Sequence, residues 1–154
     1  MTKTIAVFLV AAATAFSAGD PAGLHIWKAS ALNAQGKELA KKVDAHKVAS
    51  APLASIGNRT FSLAHREGSG QVEWHEKQAD VLVIESGTVT VIYGGTMVDE
   101  KTSAPGEKRA ESIKGGQEAT LTTGDVIHIP SKTPHQMKLA PGQSLTYFVI
   151  KVVE

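Results

Sequence analysis

VEWHEKQADVLVIESG, residues 72 to 87, sets a polar cluster against a strongly apolar strand, and the architecture follows from how the two fit together. In extended chain alternate side chains share a face, so Glu73 and His75 look one way while Val72 and Trp74 look the other. The same parity puts Asp80, Leu82 and Ile84 on one face of the following strand. A turn around Lys77 and Gln78 is expected to fold the two strands together. Glu73, His75 and Asp80 then meet at one end of a closed sheet, above a floor of Leu82 and Ile84. Trp74 is expected to face outward, against the N-terminal arm or a partner subunit. Carboxylates and an imidazole beside so apolar a strand lose hydration, and a metal ion is one group that compensates them.

The pattern around this stretch is that of many short strands. From Val48 onward, segments rich in Val, Ile, Thr and Leu are divided by glycine, proline and asparagine: RTFSLAHRE, GQVEWHE, ADVLVIESG, TVTVIYGG, QEATLTTGD, VIHIPS, HQMKLAPG and LTYFVIKVV. Strands at such intervals predict an antiparallel sandwich or barrel. Before them, Ser30 to Lys42 has Leu32, Leu39 and several alanines at roughly helical spacing, with Ser30 placed as its cap and Gly36 weakening it. Between Gly95 and Gly115 the chain is charged, with Pro105 and Gly106 at its middle. It reads as a long loop or a flexible hairpin, either functional or a solvated decoration.

Bulk properties narrow the partner. A chain of 154 residues suits one domain with a real core. Its formal net charge of +1, with both signs interspersed, gives no footprint for nucleic acid or an anionic membrane surface. A small molecule or an ion is the expected partner. With no cysteine there is neither disulfide stapling nor thiolate chemistry. At the start, Lys3 precedes an apolar run from Ile5 to Ala13 and then the small residues Ala15, Ser17 and Ala18, the order of a secretory signal peptide. The run is short for a membrane span. The expected organisation is a signal peptide over 1–18, an N-terminal arm with a short helix over 19–47, and a β-barrel over 48–154. The mature chain is then periplasmic or secreted, without a membrane segment.

A second cluster, GDVIHIPSKTPHQMKL, begins at Gly124. Gly124 and Asp125 make a turn, Val126 to Ile129 a strand, and Pro130 and Pro134 a rigid corner. His135 follows that corner with a pre-set backbone, which lowers the entropy lost on holding it as a ligand.

With both clusters in view, the sequence resembles a small single-domain bacterial member of the cupin superfamily. The spacing of the first cupin motif is kept by Glu73, His75, Asp80 and Gly87, with two residue types changed, and Gly68 and Gly70 stand in for its leading glycine. The second motif is matched by Gly124, Pro130 and His135, with Lys132 where that motif usually has glycine and Leu139 where it often has asparagine. The resemblance, covering roughly Gly68 to Leu139, implies a mainly β fold, an antiparallel barrel of the jelly-roll or double-stranded β-helix type with a helical arm. It also implies a metal held by Glu73, His75, Asp80 and His135. Such donors suit manganese, iron, zinc or nickel.

Other roles fit the same residues. His75 and His135 also read as pocket histidines without metal, Glu73 as a general base or a partner for Arg66, and Asp80 as a turn residue. His65 has the parity to line the pocket, and His128, alternating with Ile127 and Ile129, has a route to the cavity beside His135. Both are acid–base candidates, and each also reads as an ordinary structural histidine. Gln136 is expected to point away from His135. Two functions follow: a metal-dependent enzyme, dioxygenase-like oxidoreductase or lyase or isomerase, and a non-catalytic barrel that captures a small ligand or metal ion. A homodimer is expected, because the apolar strand LTYFVIKVV would otherwise leave an exposed edge.

Overall fold

Strand structure begins where the alternation begins, at Val48. The computed structural model describes residues 21–154, so the signal peptide expected over 1–18 lies outside the described residues. The elements run α1 (Ala29–Ala40), β1 (Val48–Ile56), β2 (Arg59–Arg66), β3 (Val72–His75), β4 (Gln78–Tyr93), β5 (Thr96–Val98), β6 (Lys101–Ala104), β7 (Glu107–Ala110), β8 (Ser112–Lys114), β9 (Gln117–Thr122), β10 (Val126–Ile129), β11 (His135–Lys138) and β12 (Leu145–Val153). All pairings are antiparallel, and one curled sheet follows the order β1-β2-β12-β4-β11-β3-β7-β6, with β9 and β10 also on β4.

β4 curls the sheet. Its first half pairs with β12 and β10, its second half with β11 and β9. The bend falls at Gly87, whose φ of +95° favours glycine, and where a Cβ would come within 2.2 Å of the Ser144 carbonyl oxygen. The two halves thus face each other across one core. Ala64, Leu82, Ile84, Tyr147 and Val149 come from one half, Val89, Val91 and Met137 from the other.

A second apolar layer lies on the outer face of β2 and β12. Leu32 and Leu39 of α1 pack there with Leu63, Phe148 and Trp27. Gly36 sits inside the helix because α1 crosses Thr146 closely: a Cβ would come within 2.9 Å of the Thr146 methyl. The helix starts one residue earlier than Ser30, after Lys28, which makes no side-chain cap.

Three further expectations are corrected. β3 and β4 form no hairpin. β3 lies between β11 and β7, so the short link through Lys77 carries the chain from one half of the curled sheet to the other. Trp74 packs beneath Lys108, whose Nζ is 5.1 Å from the ring centroid, and Trp27 is the aromatic that joins the arm to the barrel, against Phe61 and Phe148. β12 is no edge: it is paired on both sides, by β2 and β4, which removes the reason given for a homodimer.

Candidate metal centre

The site is assembled from cross-strand pairs. His135 lies opposite Glu73, Glu73 opposite Arg109, His75 opposite Glu107, and Asp80 opposite Lys151. Each pair is fixed by strand register, so the cluster is a product of the ladder and not of flexible loops. The four ligand candidates, Glu73, His75, Asp80 and His135, do come together. Ligand atoms of Glu73, His75 and His135 all lie within 4.8 Å of one another. Asp80 Oδ2 is 3.5 Å from His75 Nε2 and 3.6 Å from His135 Nε2.

Both imidazoles are held from behind. His75 Nδ1 meets Glu107 Oε2 at 2.6 Å, and His135 Nδ1 meets the Thr133 carbonyl oxygen at 3.0 Å. An acceptor behind Nδ1 selects the tautomer that protonates it and leaves Nε2 as a lone pair aimed inward. Glu73 completes the third side, 3.5 Å from both His75 Nε2 and Arg109. Arg109, and not Arg66, is therefore its ion-pair partner. Inward imidazole nitrogens with anchored backs, beside a carboxylate, fit a divalent metal ion.

Lys151 adds a cation that the motif spacing did not anticipate. Its Nζ lies 3.0 Å from both Asp80 oxygens and 3.0 Å from His75 Nε2. An ammonium carries donors alone, so in this arrangement His75 accepts at Nε2 and donates from Nδ1 to Glu107. Burial opposes charge on Asp80, but the polar contacts of His135 and His75 and the Lys151 charge outweigh it and hold the carboxyl well below its usual range. Burial also opposes a proton on His75, and Lys151 repels one. The hydrogen bond and charge of Asp80, with the bond to Glu107, prevail and raise the ring's pKa.

The two other candidate histidines, His65 and His128, stand elsewhere. On β2 the residues that line the cavity are Ser62, Ala64 and Arg66, so His65 has the opposite parity. It is buried on the outer face, with Nδ1 2.9 Å from Thr146 Oγ1. His128 is exposed on β10. Gln136 points away from the site as expected and donates to the carbonyls of Gly70 and Glu111. The charged stretch from Gly95 to Gly115 is organised as two short ladders, β5 with β8 and β6 with β7, and it delivers Glu107 and Arg109 to the site.

No family model matches the chain, and no curated protein matches it in sequence. Solved structures do resemble it. TT1209 from Thermus thermophilus superposes with a TM-score of 0.54 at 20% identity, covering 76% of this chain and 92% of its own. KdgF from Halomonas sp. gives 0.50 at 14% identity, with 70% and 81% covered. The cupin domain of Cnp3 from Schizosaccharomyces pombe gives 0.53 at 9% identity, with 70% and 66% covered. Likeness at such identities establishes the architecture, and that architecture is the cupin fold.

Proposed function

We propose that the barrel holds a divalent metal ion on Glu73, His75 and His135 and acts as a metal-dependent enzyme on a small molecule seated in the adjoining cavity. The observation that carries this reading is the inward aim of two Nε2 atoms whose Nδ1 partners are already fixed, beside a carboxylate in the same space. Manganese, iron, zinc and nickel suit these donors. Such an ion, when bound, supplies Lewis acidity toward a substrate oxygen. The chain supplies the rest. Lys151 supplies an ammonium beside Asp80 in the cavity lining, and Leu82, Met137 and Val149 give the cavity an apolar wall. An ammonium and a carboxylate, Lys151 and Asp80, outside the three proposed ligands favour proton-transfer chemistry, of lyase or isomerase type, over the oxidoreductase alternative.

The Asp80–Lys151 pair favours a second reading. A barrel whose buried carboxylate is already neutralised by its own lysine can capture a small ligand without metal or turnover. Elemental analysis of untreated protein separates the two. Stoichiometric metal that is lost in a folded His135→Ala variant supports the first, and metal-free protein that still binds a small ligand supports the second. Export to the periplasm or beyond and assembly as a homodimer belong to the same proposal. Mass analysis of the mature N-terminus tests the one, light scattering the other.

A further inference from the structure

β2 ends on a buried cation, Arg66, that has no ion-pair partner among the described residues. Alternation along RTFSLAHR turns Ser62, Ala64 and Arg66 into the cavity. Arg66 is 8% exposed. A guanidinium has five N–H donors and does not lose its proton in a protein. Here Nη1 reaches the Gly68 carbonyl at 3.4 Å, long for such a bond, the neutral Tyr147 hydroxyl is a second polar neighbour, and Nε has no partner among the described residues. The two carboxylates that line the cavity are paired elsewhere, Glu73 with Arg109 and Asp80 with Lys151. A charge withdrawn from water in this way calls for a counter-charge.

The surroundings leave room for one. The cavity has a volume of about 230 Å³, the room of roughly eight waters. Beside the guanidinium is Gly70, where a Cβ would stand 3.0 Å from Nη1, so this side carries no side chain. Tyr147 lines the same cavity. Burial pushes its hydroxyl pKa up, opposed by the charge of Arg66, and the group stays a neutral donor at ordinary pH. Farther along the lining are Glu73, Asp80, His135 and Lys151.

We propose that the cavity takes a small organic oxyanion, a carboxylate or a phosphate monoester, whose anionic group is held by Arg66 while its other end is turned toward Glu73 and His135. This rests on the reading of the cavity as a ligand site given above, and not on the presence of metal there.

The test is calorimetric titration of the full chain with succinate, with glycerol phosphate and with neutral succinamide. One of the two anions binds, which identifies the carboxylate or the phosphate as the group recognised, and succinamide does not. Arg66→Met weakens the anion at least about tenfold, and Arg66→Lys by less, because the charge is kept and the fork is lost. Equal affinity in wild type and Arg66→Met, binding of succinamide alongside succinate, or no binding of either anion at millimolar concentration overturns the proposal. Should the methionine variant fail to fold, the Arg66 Nε–H resonance of the wild type decides: movement with the anion supports the assignment, and binding without movement defeats it. Metal content of the same samples keeps the two readings apart. Metal-free protein that binds the anion through Arg66 upholds this site while removing metal from the function proposed above.

Discussion

The Nζ of Lys151 lies 3.0 Å from both carboxylate oxygens of Asp80, its direct cross-strand partner. The same nitrogen is 3.0 Å from His75 Nε2, so a lysine stands where the candidate metal ligands converge. An ammonium and a divalent ion repel each other at such range. Metal entry therefore requires Lys151 to withdraw toward the cavity mouth, and its 30% exposed side chain leaves it a path.

Lys151→Met removes that competition. The variant is expected to bind divalent metal at least about tenfold more tightly, a gain that one unit charge at short range readily supplies. Metal-stripped, it is expected to be less stable than wild type by about 1–3 kcal/mol, below the full cost of breaking a buried pair because Lys151 is partly solvated. Metal titration and urea unfolding in chelator measure the two effects. Unchanged affinity would mean that Lys151 does not contest the site.

Asp80 sets an acid limit. Its folded pKa is held below the unfolded value near 3.9, so its contribution is fully present above that value and is lost as pH falls from about 5 downward. Asp80→Asn is expected to cost about 1–3 kcal/mol at neutral pH, and the gap from wild type is expected to narrow as unfolding is followed from pH ~5 toward pH ~3. A gap independent of pH would remove Asp80 as the titrating group.

Glu107 orients His75 from behind through the 2.6 Å contact to Nδ1. Glu107→Gln keeps the shape, removes the charge, and is expected to weaken metal affinity by about 10–100-fold with little change in fold. Competition with a chelating dye measures it. A variant with wild-type affinity would show that the ring needs no such support.

Lys132 occupies a left-handed backbone conformation, with φ of +61°, at the position where the second cupin motif carries glycine. A side chain there is strained, so Lys132→Gly is expected to stabilise the protein by about 0.5–1 kcal/mol in urea unfolding. A loss of stability would mean that the lysine side chain makes a compensating contact.

What the sequence disclosed was governed by range. Parity along VEWH and QADVLVI gave the faces of Glu73, His75 and Asp80, because strand alternation is local, and the motif spacing grouped them with His135. The hairpin expected to join them was wrong, since β3 pairs with β11 and β7. Lys151 escaped because its place opposite Asp80 depends on a register between strands 71 residues apart. The signal was nonetheless there: in LTYFVIKVV, Tyr147, Val149 and Lys151 share one parity, and a lysine in so apolar a strand needs a partner. Glu107 and Arg109 lay in a charged run with Pro105 and Gly106, whose composition resembles a solvated loop, and the β3–β7 ladder that recruits them is long-range. His65 was assigned to the wrong face because nothing in RTFSLAHR says which side of a strand, both sides of which are covered, faces the cavity.

The proposed chemistry depends first on Glu73, His75 and His135 sharing one ion. Anomalous diffraction from crystals of untreated protein, collected on both sides of the manganese, iron, nickel and zinc edges, shows whether they do. The expected map has a single peak bonded to Nε2 of both histidines and to the Glu73 carboxylate, with Lys151 displaced. Crystals with no anomalous peak, and with the lysine nitrogen still resting between Asp80 and His75, would refute the shared ion.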